Sequence, residues 1–213
     1  MRASTAAPIY FPPEIVNLDK SDPTKTFIFV DGGVTPYNDP AFLIYRMATL
    51  PQYRLCWPTG EKNMMIVSVG TGSAASLGRN LDARGELITS NLGHLPGVLM
   101  GGAAADQDIN CRAVGRCVFG PVIDRELGEM IPRRGDPLTG EAIPLAEDCG
   151  REFLYARFDP DISRAGLDAI GLNAIDPADI SAMDDVANIG KMQKVGAAYA
   201  AKHVDMAPFK GFV

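Results

Sequence analysis

The apolar residues of the chain fall into a few dense runs separated by stretches rich in Pro and Gly. Thr26-Phe27-Ile28-Phe29-Val30 runs without interruption into Asp31-Gly32-Gly33-Val34, and Met64-Met65-Ile66-Val67-Ser68-Val69 runs into Gly70-Thr71-Gly72. Continuous apolar runs of this length predict strands buried on both faces, with the glycines turning the backbone at the strand ends. Between them, Asp39-Pro40 predicts a helix start, with Asp39 as N-cap and Pro40 at the first helical position. Phe42, Leu43, Tyr45, Arg46 and Met47 continue that helix to Pro51, with Arg46 toward solvent. A helix so placed supplies a right-handed crossover between two parallel strands. Before Thr26, Pro8, Pro12, Pro13 and Pro23 predict an irregular lead-in, because each fixes φ and removes a donor.

The second half is less regular. Leu92 to Ala105 is the most apolar long window, and at 14 residues it is too short to span a bilayer. A core helix is the first reading, although Pro96 and Gly97 leave room for a mobile lid or a lipid-touching surface. Residues 106–130 read as mixed and helical, with Asp124-Arg125-Glu126 as a solvated charge cluster. Residues 132–150 read as a loop or insertion, punctuated by Pro132, Gly135, Pro137, Gly140, Pro144 and Gly150. Phe153 to Phe158 predicts a third strand, near a sheet edge. Asp176-Pro177-Ala178-Asp179 predicts the start of a helix reaching His203, with Gly190 as a point of bending.

Bulk properties restrict the function classes. A length of 213 residues, 46% of them hydrophobic and 22% charged, suits one globular domain. A net charge of −6 with no basic cluster argues against nucleic acid. Cys56, Cys111, Cys117 and Cys149 lack C-x-x-C spacing, which disfavours zinc and dithiol chemistry. His94 and His203 are the only histidines, and neither has the neighbours of a triad or a zinc site. Asp159, Asp161 and Ser163 are spaced like a calcium loop, but Arg164 stands where its glycine belongs and Ile170 where its bidentate acid belongs. Neither a zinc nor a calcium site is therefore expected. Four reduced cysteines make the cytoplasm the expected location, with peripheral attachment to a membrane as the alternative.

Three segments, in this order and spacing, carry a resemblance to the patatin-like phospholipase family. Ser4-Thr5-Ala6-Ala7-Pro8-Ile9-Tyr10-Phe11-Pro12-Pro13 looks like the lead into that family's late catalytic strand. Asp31-Gly32-Gly33-Val34, followed by Asn38-Asp39-Pro40-Ala41, is similar to its D-G-G/A aspartate motif. Ile66-Val67-Ser68-Val69-Gly70-Thr71-Gly72 resembles the strand and G-T-G turn that come next. The match is strong over residues 1–72 and only in outline beyond, where residues 153–213 would form a terminal strand and helix.

The resemblance implies an α/β domain with αβα layers and buried, mostly parallel strands. It also implies a lipid acyl hydrolase that uses a Ser–Asp dyad, without a cofactor. Asp31 would accept the serine's proton, and Gly32 and Gly33 would form its supporting turn. The family's G-x-S-x-G elbow and glycine-rich oxyanion loop have no counterpart here: Ser68 lies in Val67-Ser68-Val69 and Ser73 directly follows Gly72. The chain is accordingly expected to be the carboxy-terminal part of such a domain, inactive by itself. A lipid or acyl ester is the expected substrate, with contact at a membrane surface and self-association through an exposed sheet edge as further expectations. Two other readings stand beside it. One is a non-catalytic remnant that binds a partner through an uncovered sheet face. The other is a dinucleotide-binding module, because Gly70, Gly72 and Ala75 fit G-x-G-x-x-G/A after a strand.

Overall fold

A computed structural model of the chain describes residues 2–8, 11–73, 88–121, 123, 138–139, 150–181 and 185–212. Three strands make a parallel sheet: β3 (Met65–Val69), β4 (Arg116–Phe119) and β5 (Leu154–Phe158), in the order β3-β5-β4. Pairing is in register from Met65↔Leu154 to Val69↔Phe158, and an irregularity falls between Cys117 and Phe119 on the other side. The architecture is thus α/β, a parallel sheet flanked by helices, as expected. Phe153–Phe158 lies at the centre of the sheet and not at its edge. Four of its five strand residues are buried accordingly.

Alternation along the strands sends side chains to two different layers. Ile66, Phe153 and Tyr155 face α1 (Ala41–Thr49) and α2 (Ile88–Val114), where they pack with Ala41, Ala48, Met64 and Cys111. Burying these side chains is the main favourable term holding α1 and α2 on the sheet. On the opposite face Phe158 stacks between Phe119 at 4.7 Å and Phe209 at 6.4 Å, and the Phe119 ring also meets His203. The chain after β5 therefore returns across the second face. Its helices α3 (Arg164–Ala169), α4 (Pro177–Ser181) and α5 (Ile189–His203) build a core of their own from Leu167, Ile175, Ile180 and Val195.

Several sequence expectations are corrected. Thr26–Phe29 is a strand, β2, but it is neither parallel to β3 nor buried. It pairs antiparallel with β1 (Glu14–Asn17) in a separate two-stranded ribbon, from Glu14↔Phe29 to Asn17↔Thr26. The lead-in is thus partly regular, and α1 is not a crossover within one sheet. The ribbon forms because the intervening turn is fastened locally. Asp19 Oδ1 accepts from the Ser21 backbone N–H and hydroxyl, Asp22 Oδ1 does the same for Thr24, and Lys25 Nζ reaches Asp19 at 3.0 Å. Hydrogen bonds from Ser21 and Lys25 hold the Asp19 carboxyl below its usual range, and those from Thr24 do so for Asp22. Among the described residues no layer covers the ribbon, and Phe27, Ile28, Phe29 and Val30 are exposed, Ile28 at 68%.

Helix α1 begins one residue later than expected. Pro40 takes the N-cap position, and the Asp39 carboxylate accepts from Ala41 N–H at 3.1 Å. Helix α2 continues unbroken through Pro96 and Gly97. It ends at Val114, and Arg116–Phe119 is a strand where helix was expected. The terminal helix is in fact two, α4 and α5, separated by a 3-10 turn over Val186–Asn188 whose first N–H groups are capped by Asp185. Gly190 lies near the start of α5. Most of 132–150, Asp124-Arg125-Glu126, Ala75 and Cys149 lie outside the described residues.

Candidate functional site

Asp31 stands two residues beyond β2, where the backbone enters a short 3-10 turn, Gly32–Val34. Its Oδ1 accepts from Gly33 N–H at 2.6 Å, and its own N–H donates to Ala6 O at 3.0 Å. The carboxylate is half-buried and keeps its second oxygen outside this turn. Gly33 fits closely: a Cβ there would lie 3.0 Å from Asp31 Oδ1 and 3.6 Å from Met100 Cε, so a larger residue would press on the carboxylate. Gly32 has more room, its nearest neighbour being Thr35 Oγ1 at 3.7 Å. The turn is fastened to α2 by Asn38 Nδ2, which donates to Met100 O at 3.1 Å. Asp31, Gly32 and Gly33 therefore form one structural unit, a carboxylate held in a glycine turn against a helix.

A second constellation, not anticipated as a group, lies on the helix-covered face of the sheet. Ser68 and Arg157 are register partners on β3 and β5. Ser68 Oγ donates to Asp39, 3.0 Å from both carboxylate oxygens. Arg157 Nη1 donates to Asp39 Oδ2 and to Ser68 Oγ, each at 2.6 Å. Arg157 Nη2 reaches Asp159 Oδ2 at 3.4 Å, while Asp159 Oδ1 accepts from Gly72 N–H at 3.0 Å. Asp39, Ser68 and Arg157 are 4%, 7% and 8% exposed, so the charges are compensated inside the protein rather than by water. The sequence signal for this cluster was an arginine in the middle of an apolar strand, which demands a buried acid.

This cluster has a structural consequence for the Gly70-Thr71-Gly72 turn. The Gly72 N–H, which a phosphate would need, is taken by the Asp159 carboxylate. A Cβ on Gly70 would collide with that same carboxylate, and Gly72 has φ +105° with Ile162 close by. The glycines are required by close packing and left-handed backbone, which explains the fingerprint without a ligand.

Beside the cluster, Arg112 is 1% exposed and donates to Asp108 Oδ1 at 3.0 Å and to Pro121 O at 2.7 Å. Burial pushes the Cys111 thiol and the Tyr155 phenol well above their usual ranges, and the nearby Asp108 and Asp39 add to the effect. Both are inert neutral groups. Cys56 is exposed. His203 ends α5 against Tyr199 and Phe119, while the side chain of His94 in α2 is outside the described residues. No group of His, Cys, Asp and Glu suited to a metal occurs among the described residues. No helix among them is long and apolar enough to cross a membrane.

Comparison with known proteins finds similarity to patatins. The chain is 34% identical to Patatin-15 of Solanum tuberosum over 87 residues, which is 38% of this chain and 22% of that protein. Part of the chain is similar to the patatins. Patatin-B1 of the same plant is 36% identical over 84 residues (37% of this chain, 22% of the relative), and Patatin-2-Kuras 4 is 33% identical over 88 residues (38% and 24%). The matched region spans about a fifth to a quarter of the length of these patatins. No family model matches the chain, and no solved structure matches it significantly.

Proposed function

We propose that the chain is the Asp-bearing part of a patatin-like acyl hydrolase acting on lipid esters, with Asp31 as the proton acceptor for a serine. The observation that carries this reading is the likeness to patatins over 87 residues, 34% identical. The Asp31 turn supplies what the chemistry asks of a base. Its carboxylate is half-buried, oriented by one backbone N–H, and closely backed by Gly33. A carboxylate in water is a poor base for a serine hydroxyl, so the role requires a partly desolvated site next to the nucleophile.

The serine that does hydrogen-bond an aspartate in this chain is unsuited to attack. Ser68 is 7% exposed, and its Asp39 partner is already neutralised by Arg157 at 2.6 Å. Ser68 is therefore read as structural. The 213 residues contain no G-x-S-x-G to serve Asp31. The proposal expects purified chain to give no steady turnover of a p-nitrophenyl ester. Turnover abolished by a serine-directed phosphonate would overturn the assignment of a base without a nucleophile.

The second reading, a non-catalytic binding module, is favoured by the apolar surface left open on β2 and β3, where Ile28 is 68% and Val69 75% exposed. The dinucleotide reading is disfavoured by the Asp159 carboxylate on the Gly72 N–H.

A further inference from the structure

The segment from Pro51 to Pro58 is exposed at every residue, although it carries Tyr53, Leu55 and the chain's single tryptophan, Trp57, which is 61% exposed. Two of its non-glycine residues, Arg54 (φ 59°) and Cys56 (φ 48°), hold left-handed backbone. Both hold a conformation that L side chains rarely adopt. Trp57 borders an open hollow of about 340 Å³ that Met65 and Val67 of β3 share with Phe209 and Phe212 of the carboxy-terminal segment. Val67 and Val69 extend the apolar strip along the free edge of the sheet, at 44% and 75% exposure.

The charges around this strip are opposite to those of the whole chain. Arg54 on the loop, Lys62 beside the hollow, and Lys210 between its two phenylalanines are exposed, and none of them is in an ion pair among the described residues. Of the neighbouring acids, Glu61 is paired with Arg116 at 2.9 Å, and Asp205 caps the turn before Phe209. A chain of net charge −6 thus presents a basic rim around its exposed tryptophan.

We infer that this face docks on the surface of an anionic phospholipid bilayer. Trp and Tyr favour the headgroup level, where an apolar body and a polar tip are both accommodated. Basic side chains there gain from the negative surface potential. The N–H and C=O groups of the β3 edge, which no strand among the described residues pairs, remain hydrated at that depth, whereas in the hydrocarbon core they would not be tolerated. The inference does not depend on the acyl-hydrolase reading, because it requires binding and no turnover.

Trp57 makes the test direct, since its emission is the only tryptophan signal of the chain. Full-length chain is mixed with vesicles of phosphatidylcholine alone or of phosphatidylcholine with phosphatidylserine. The expected result is a blue shift and co-sedimentation with the phosphatidylserine vesicles, much weaker with phosphatidylcholine, and reversed by high salt. Replacing Arg54, Lys62 and Lys210 together by Gln should weaken binding roughly a hundredfold, about fivefold for each charge. Trp57→Ser, an exposed position, should keep the far-ultraviolet dichroism and lose most sedimentation. Equal binding to both vesicle types, or no blue shift with either, would overturn the proposal. So would a blue shift that grows with protein concentration in the absence of lipid, which would make the occupant a second copy of the chain.

Discussion

Arg157 on the central strand donates to the Asp39 carboxylate at 2.6 Å, across 118 residues of sequence. Together with the hydrogen bond from Ser68 of β3, that contact ties the segment carrying Asp31 to the sheet, and Asp39 also receives the first N–H of α1. Both groups are buried, so each depends on the other for its charge.

Arg157→Ala should therefore destabilise the chain by about 3–5 kcal/mol, since Asp39 would be left charged and uncompensated in the interior. Asp39→Ala should cost a similar amount. The double variant should cost clearly less than the two single losses together, and urea denaturation of the four proteins in a cycle measures this. Additive losses would mean that the two side chains act separately.

The glycines divide into those the packing requires and those it does not. Gly72→Ala, at φ +105° with a Cβ 2.7 Å from Ile162, should cost on the order of 1–3 kcal/mol. Gly70→Ala should also destabilise, by collision with Asp159. Gly190→Ala, in α5 with open space around it, should stabilise by about 0.4–1 kcal/mol. Thermal denaturation of the three variants checks the order.

Stability should fall in alkali for a specific reason. Burial raises the folded-state values of Cys111 and Tyr155, so their contribution is complete below the unfolded values of about 8.5 and 10. It is lost progressively as pH rises above them, because the unfolded chain releases protons that the folded chain retains. Denaturation midpoints measured from neutral to strongly alkaline pH should drop, and Cys111→Ser should remove the earlier part of the drop. In native protein at neutral pH, a thiol reagent followed by peptide mapping should label Cys56 and spare Cys111.

How far the fold was legible follows from where its causes lie. β3, α1 and β5 were readable because a run of apolar residues or a proline start is a local signal. The burial of β2 was not, because Phe27, Ile28 and Phe29 look the same in sequence whether or not a layer covers them. β4 was missed because Arg116-Cys117-Val118-Phe119 is too short to show a period and follows directly on a helix. The break between α4 and α5 depends on the Asp185 cap, a turn signal inside an otherwise helical pattern. In the candidate site, the Asp31-Gly32-Gly33 turn was legible from composition. The Asp39–Ser68–Arg157 cluster was not, since its members are 29 to 118 residues apart.

The different environments of β2 and β3 can be compared with one substitution. Ile66→Ala, on the covered face, should cost about 2–5 kcal/mol. Ile28→Ala, on the exposed ribbon, should stay within about 0.5 kcal/mol. Similar losses at both positions would show that β2 is buried in solution.

The assignment of Asp31 is tested most directly by giving it a nucleophile. A fusion that supplies this chain with the G-x-S-x-G and glycine-rich segment of a potato patatin, verified to unfold cooperatively, should hydrolyse p-nitrophenyl esters. In that fusion Asp31→Asn should lower kcat by roughly 10²–10⁴-fold, the range expected for loss of a general base, while the unfolding midpoint stays nearly unchanged. Asp39→Asn, by contrast, should act mainly on stability. Activity within a few-fold of the parent fusion in Asp31→Asn would contradict the account.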